Sequence, residues 1–246
     1  MKRNEVIIIL GVGLILLFAF VFIDDIERSL TGKVTLDEGL KVYLYQIGSP
    51  MPVFEANGNN YEEFPNSMNK LKNIDKLSVT AKVLNLRGAD NSYGDIPFAQ
   101  HQAGRGYYIS LSPQGNFVAG LKTTLSPSEW MICTAKTPGN IQTNQFTDVA
   151  LRWNGATRVL EGFIGGVKVC ENTRVFGRFS DGDIVGDTSS TIYNPLRVGG
   201  SLYGNPIQAK YFKGQVANIR IYDRVLSYEE IKQIDNEVVE IKSILD

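Results

Sequence analysis

Two short loops gather the oxygen groups that a hard cation or a sugar would need. Ser180–Asp187 reads Ser-Asp-Gly-Asp-Ile-Val-Gly-Asp, and Asp90–Asp95 reads Asp-Asn-Ser-Tyr-Gly-Asp. Carboxylates and carbonyls on a turn-rich loop suit calcium, so Asp181, Asp183, Asp187 and Asp90 are candidate ligands for it. The first loop is not an EF-hand, because the twelfth position counted from Asp181 is Ile192 where that motif needs a bidentate glutamate. Solvated turns, in which Asp and Asn favour the backbone bend itself, are the alternative for both loops. A sugar site needs an aromatic ring for the apolar face of a pyranose and amides or carboxylates for its hydroxyls. Tyr93 stands among Asp90, Asn91 and Asp95, and Tyr193 and Tyr203 stand near Asn194 and Asn205. Tyr93, Asp95, Asn91, Tyr193, Tyr203 and Asn205 are therefore the candidate ligand-binding residues. Tyr107, Trp130 and Trp153 fall in apolar strand runs and are expected in the core.

Catalytic chemistry has no comparable support. Glycoside hydrolysis needs two carboxylates flanking the scissile bond. The nearest acidic cluster, Asp235, Glu237 and Glu240, falls on a helical stretch, where Asp235 and Glu237 lie about 200° apart and read as a solvated face. His101 is the only histidine, in Phe98-Ala-Gln-His-Gln-Ala-Gly104, and no Gly-x-Ser-x-Gly elbow accompanies it. It reads as a polar residue of a strand edge or loop. Gly104-Arg-Gly106 and Gly11-Val-Gly13 lack the strand-to-helix setting of a phosphate loop. The chain reads as a protein other than an enzyme. A formal net charge of −1 supplies no basic field, which excludes nucleic acid as the expected partner.

These loops need a rigid support, and the pattern between them is that of strands. Val42–Tyr45, Leu77–Leu84, Tyr107–Leu111 and Phe117–Leu121 are short apolar or alternating runs separated by Asn57-Gly58, Gly88–Asn91 and Gln114-Gly115. Trp130–Ala135, Phe146–Trp153, Leu160–Cys170 and Leu196–Gly199 continue the pattern between Pro138-Gly139, Asn154-Gly155 and Gly165-Gly166. Such spacing predicts an all-β sandwich. Gly214–Tyr222 alternates so that one face is apolar and the other polar. A helix over 228–245 follows, with Ile231, Ile234, Val238, Ile241 and Leu245 at spacings of three and four. Ser227 and Glu230 form a capping box at its start, and Leu226 and Ile231 occupy the positions of a hydrophobic staple.

The N-terminus differs in kind. Residues 1–5 form a short stub containing Lys2 and Arg3, and residues 6–23, Val6–Ile23, are an uncharged apolar run followed by Asp24, Asp25 and Glu27. At about 1.5 Å per residue the run is long enough for a hydrocarbon core, so it predicts a single transmembrane helix. The bulky exit Phe20-Val-Phe-Ile23 lacks a small-residue cleavage site and favours an uncleaved signal-anchor over a removed signal peptide. The positive stub should stay cytoplasmic and the domain at 37–246, after a linker at 24–36, should face the extracellular or exoplasmic side. Cys133 and Cys170 then lie where a disulfide can form, and either a bridge or two buried thiols fits the sequence.

The closing residues Gly214, Val216, Arg220, Tyr222, Asp223, Arg224, Leu226, Ser227, Glu230 and Ile231 resemble the segment that ends laminin-G-like jelly rolls of the concanavalin A-like lectin/glucanase superfamily. Asn60–Val83 is similar to that family's opening strand pair, Gly106–Leu111 with Gly115–Phe117 to its next hairpin, and Asp148–Gly155 and Phe163–Val169 to two later strands, all in the family's order. The resemblance implies a mainly β, concanavalin A-like jelly-roll sandwich with a C-terminal helix, here behind the N-terminal membrane helix. It also implies recognition of a glycan or protein through sandwich-edge loops, with calcium as the candidate cofactor. The other reading is a structural subunit that assembles with membrane, envelope or filament proteins.

Overall fold

The computed structural model describes residues 38–44, 53–64, 75–86, 95–102, 105–112, 115–122, 130–136, 141–173, 195–201 and 210–235, and of residues 95–98, 100–102, 105, 122, 201 and 210 the backbone alone. The apolar run at residues 6–23 and the helical positions beyond Asp235 lie outside these. No helix among the described residues is long and apolar enough to cross a membrane. The strands are β1 (Leu40–Leu44), β2 (Val53–Asn57), β3 (Glu62–Phe64), β4 (Lys76–Asn85), β5 (Asp95–Gln102), β6 (Arg105–Leu111), β7 (Phe117–Lys122), β8 (Met131–Thr134), β9 (Phe146–Asn154), β10 (Val159–Ile164), β11 (Val167–Asn172), β12 (Leu196–Val198), β13 (Gly200–Ser201), β14 (Lys210–Tyr211) and β15 (Lys213–Tyr222), followed by helix α1 (Tyr228–Asp235).

Two sheets pack face to face. One runs β1-β15-β4-β9-β10-β11, with β2 also paired to β15, and the other runs β3-β12-β5-β6-β7-β8. Alternation along each strand sends every second residue inward. Leu77, Val79 and Val83 of β4 and Val149, Leu151 and Trp153 of β9 meet Tyr107 and Ile109 of β6 and Phe117 and Leu121 of β7 in one core cluster. The run Leu160–Cys170 is two strands, because Gly165 and Gly166 both hold positive φ, 55° and 66°, in a two-residue turn that suits a right-twisted hairpin. In β15 the inward residues are Val216, Ile219 and Ile221, and the odd spacing between the first two is absorbed by a bulge at Asn218, whose φ is 49°.

The disulfide closes one side of the sandwich. β8 ends its sheet and β11 ends the other, and Cys133 of β8 is bonded to Cys170 of β11 with the Cα atoms 5.6 Å apart. Asn172 donates to the Ile132 carbonyl at 2.8 Å beside it. Gly162 must lack a side chain here, since a β-carbon would overlap Phe117 and reach Cys170 Sγ at 2.8 Å.

The outer face of the larger sheet departs from the expected pattern. Rather than one apolar and one polar solvent-facing side, both faces of β15 are buried from Val216 to Tyr222, apart from the half-buried Gln215 that precedes them. Tyr43 of β1 covers Arg220, which donates to its hydroxyl at 2.7 Å, and the closing segment covers the strands beyond. Ser78 of β4 accepts from the Leu226 N–H at 2.9 Å and donates to the Arg224 carbonyl at 2.8 Å. Arg152 of β9 donates to the Leu226 carbonyl at 2.8 Å and to Glu161 of β10 at 2.7 Å, and the Tyr228 hydroxyl donates to Glu161 at 3.0 Å. The guanidinium of Arg152 sits 4.4 Å from the Tyr228 ring centroid and 5.2 Å from that of Phe163. The capping box is formed in full: Ser227 N–H donates to Glu230 at 2.6 Å and Glu230 N–H to the Ser227 hydroxyl at 3.1 Å. Leu226 and Ile231 are both buried.

The last described turn of α1 is held by charge. Lys82 of β4 donates to Asp148 Oδ2 of β9 at 2.7 Å and to the Asp235 carbonyl at 3.1 Å. The carboxyl of Asp148 is hydrogen-bonded to that of Asp235. Asp235 is thus a partner of the sheet instead of a member of a solvated helix face; Glu237 and Glu240 lie outside the described residues. Burial, then the bond from Asp235, raise Asp148 to about 7, with Lys82 acting in the opposite sense. Glu230 behaves differently: burial opposes its ionisation, yet Arg224 and Ser227 together hold its carboxyl below the usual value.

Two outcomes follow for stability. Removing the bridge with paired Cys133→Ala and Cys170→Ala changes, or with reductant, should lower the unfolding free energy by about 4 kcal/mol, given a loop of 37 residues. Urea unfolding checks it, and an unchanged midpoint would contradict it. The folded pKa of Asp148 lies above its unfolded value, so its stabilising effect is complete in acid and is lost as pH rises through about 7. Between pH 5 and 8 the wild type should lose on the order of 2 kcal/mol more than Asp148→Asn. Glu230 contributes with the opposite sign, and its share is lost as pH falls through the acid range.

Candidate functional site

The outer face of the six-stranded sheet carries an aromatic platform. β6, β7 and β8 pair so that Tyr108 stands opposite Gly120 and Gly120 opposite Ile132. The neighbours of these residues, Tyr107, Leu121 and Met131, point into the core, so Tyr108, Gly120 and Ile132 face out. A β-carbon at Gly120 would overlap the Tyr108 ring, which shows that the ring lies across the bare backbone of β7. There it meets Trp130, the residue before β8, with ring centroids 5.2 Å apart at 54°. Ala99 of β5 and Val118 of β7 complete this second apolar cluster, which is separate from the core.

Trp130 therefore corrects the expectation of a core residue. Tyr107 and Trp153 are in the core as expected, at 0% and 1% exposure, but Trp130 is only partly buried, and Ile132 beside it is 45% exposed. In the next row across the same three strands, Ser110 pairs with Val118 and Val118 with Thr134; Ser110 is buried, and Thr134 is the exposed hydroxyl residue of the row. A partly exposed ring near an exposed hydroxyl residue, Trp130 and Thr134, offers stacking and hydrogen bonding to one ligand. Further along the same face Arg197 of β12 is fully buried and paired with Glu63 of β3 at 2.8 Å. The signal that could have found Trp130 is parity: Met131 and Cys133 are core residues, so 130 and 132 had to face outward once the strand was placed.

The residues singled out in the sequence have mixed fates. Asp90, Asn91, Tyr93, Asp181, Asp183, Asp187, Tyr193, Tyr203 and Asn205 lie outside the described residues. Asp95 is not a loop residue; it opens β5, with its backbone opposite Leu111. His101 sits in β5, an interior strand between β12 and β6, opposite Gly106, and so belongs neither to a sheet edge nor to a loop. Among the described residues no three His, Cys, Asp or Glu side chains gather as metal ligands would. Asp148 and Asp235 both engage Lys82, Asp148 through its carboxylate at 2.7 Å and Asp235 through its main-chain carbonyl at 3.1 Å. The cavity beside them is about 10 Å³, at the threshold for one water, and buried Thr80, whose hydroxyl lacks a protein partner, lines it.

A laminin-G family model, described as the concanavalin A-like lectin/glucanases superfamily, matches residues 56–232. A search of curated proteins returns no match. Among solved structures the chain is similar to the CBM40 of a Ruminococcus gnavus IT-sialidase bound to α2,3 sialyllactose, with a TM-score of 0.56 and 14% identity over 74% of this chain and 96% of that one. It is similar to the leech intramolecular trans-sialidase, with a TM-score of 0.59 and 16% identity over 82% of this chain and 28% of that one. It is also similar to domain 4 of AbnA, a GH43 extracellular arabinanase from Geobacillus stearothermophilus, in complex with arabinotriose, with a TM-score of 0.52 and 18% identity over 79% of this chain and 80% of that one. At these identities the likeness is one of fold.

The platform makes a local demand that can be checked. Gly120→Ala should force the Tyr108 ring off β7, costing about 1–3 kcal/mol of stability and exposing more of Trp130. Urea unfolding and the emission maximum read both effects. An alanine variant with unchanged stability and emission would show that Tyr108 does not rest there.

Proposed function

Given that this chain belongs to the concanavalin A-like lectin/glucanase superfamily, we propose that it is a non-catalytic recognition module that binds glycan on the outer face of its six-stranded sheet. One observation carries the reading: Trp130, partly exposed, is braced by the Tyr108 ring that lies over Gly120, on a face where Thr134 is also exposed. A flat, pre-positioned ring stacks on the apolar face of a pyranose at little ordering cost, and an exposed hydroxyl such as that of Thr134 can fix the sugar's rotation. Two of the similar structures hold glycans, sialyllactose and arabinotriose, which supports the class of ligand. Sequence alone adds Tyr93, Asn91, Asp95, Tyr193, Tyr203 and Asn205 as further sugar contacts, and Asp90, Asp181, Asp183 and Asp187 as calcium ligands.

The place of action is part of the proposal. The apolar run Val6–Ile23 anchors the module in a membrane, with Lys2 and Arg3 on the cytoplasmic side and the sandwich outside. A disulfide between Cys133 and Cys170 agrees with an oxidising compartment. Protease added to intact cells should remove the domain and leave the stub; full protection would refute the orientation.

A glycan array probed with the full chain tests the recognition role. Wild type should give hits, and Trp130→Ala should weaken them at least tenfold, about 1.4 kcal/mol, while keeping the same unfolding midpoint within a few degrees. Hits that survive Trp130→Ala unchanged would move the site elsewhere, and no hits at all would refute glycan recognition.

A further inference from the structure

The sequence holds two Asn-Gly pairs, Asn57-Gly58 at the end of β2 and Asn154-Gly155 at the end of β9. A glycine after an asparagine leaves the amide carbon open to attack by the next main-chain nitrogen, because no β-carbon blocks the approach. The structure sets the two pairs apart. Asn57 is exposed, and its Oδ1 accepts from the Asn59 N–H at 2.8 Å in an Asx-turn that folds the amide back along the chain. Its own N–H donates to Asn60 Oδ1 at 2.7 Å, and Asn60 Nδ2 donates to the Glu55 carbonyl at 2.9 Å, so the turn is held from both ends. Gly58 has a φ of 91°, and among the described residues no main-chain carbonyl accepts its N–H. Asn154 is half-buried and makes the same turn, its Oδ1 accepting from the Ala156 N–H at 3.1 Å. There, however, the Gly155 N–H donates to the Asp75 carbonyl at 2.8 Å, which ties up the nitrogen that would attack. The Asn59 N–H has a chemical consequence as well. Negative charge develops on Oδ1 as a nucleophile adds to Cγ, and a donor already aimed at that oxygen stabilises it.

We propose that Asn57 is a self-modification site, where the folded protein converts its own side-chain amide to a carboxylate. The Gly58 nitrogen loses its proton to hydroxide and bonds to Asn57 Cγ. The Cγ–Nδ2 bond breaks, and Nδ2 takes a proton from water and leaves as ammonia. Water then opens the resulting five-membered imide: cleavage at Cγ gives aspartate, and cleavage at the main-chain carbonyl gives isoaspartate. No oxidant or reductant is needed. Either product sets a carboxylate two positions from the exposed Glu55, on the same strand face, at the corner that leads from β2 of one sheet to β3 of the other. Isoaspartate also lengthens that corner by a methylene.

The experiment incubates the full chain, folded, in mildly alkaline buffer and follows both asparagines by peptide mapping with mass spectrometry. Asn57 should convert at least about tenfold faster than Asn154, and faster still as pH rises. In urea the difference should shrink towards parity, because the Gly155–Asp75 bond is then lost. Gly58→Ala should slow the reaction at Asn57 by about tenfold. Since a positive φ strains alanine, Asn57→Gln is the second variant, and it should stop the acidic species that isoelectric focusing detects as the wild type ages. An Asn57 that keeps its amide in the folded chain while converting in urea would overturn the proposal. So would equal conversion of Asn57 and Asn154 in the folded chain, or acidic species that form unchanged in Asn57→Gln.

Discussion

A guanidinium buried outside the hydrophobic core is the constraint around which one half of this molecule is built. Arg152 points away from the core on β9, is almost fully buried, and has to be answered there. Glu161 answers its charge, the Leu226 carbonyl takes another of its protons, and the rings of Phe163 and Tyr228 close over its plane. Removing one partner of such an arrangement leaves an uncompensated charge, so the closing segment and the sheet are held in a single register. Ser78 and Lys82 repeat the device on β4, each reaching from the sheet to a main-chain carbonyl of the closing segment. The outer face of the larger sheet is thereby spent on closure.

The second sheet is finished differently. Its core side matches the first, residue for residue in alternation, but its outer side carries a small apolar cluster around Tyr108 and a tryptophan left partly open. A tryptophan left partly open on a rigid sheet needs a reason, since it forgoes the gain of full burial. Gly120 is the local cause: by omitting a side chain it lets one ring lie flat and brace the other. This asymmetry, one outer face latched and the other offering a platform, is what the proposed recognition role rests on.

Much of the architecture was legible in the residues. Leu77–Leu84, Phe146–Trp153 and Gly214–Tyr222 alternate with period two and are strands, and the Ser227–Glu230 capping box forms at the hydrogen-bond level. What escaped was whatever depends on a neighbour distant in sequence. Asp235 looked solvated because Asp148 and Lys82 come from other strands. The polar side of Gly214–Tyr222 is buried by residues distant in sequence or later in the chain, Tyr43 on Arg220 and Arg224 on Tyr222. Trp130 looked like core because an apolar run does not say which face each member takes until register is known. Asp95 and His101 were read as loop or edge residues because β5, with Pro97 and polar Gln100 and Gln102, has little apolar periodicity; pairing to β6 and β12 makes it a strand.

Tryptophan fluorescence tests the central claim most directly. The chain has two tryptophans, of which Trp153 is sealed in the core and Trp130 stands on the platform. Quenching by acrylamide therefore reports on Trp130 alone. Saturation with a glycan that the protein binds should shield Trp130 and abolish the quenchable fraction. Quenching that is the same with and without bound glycan would contradict the account.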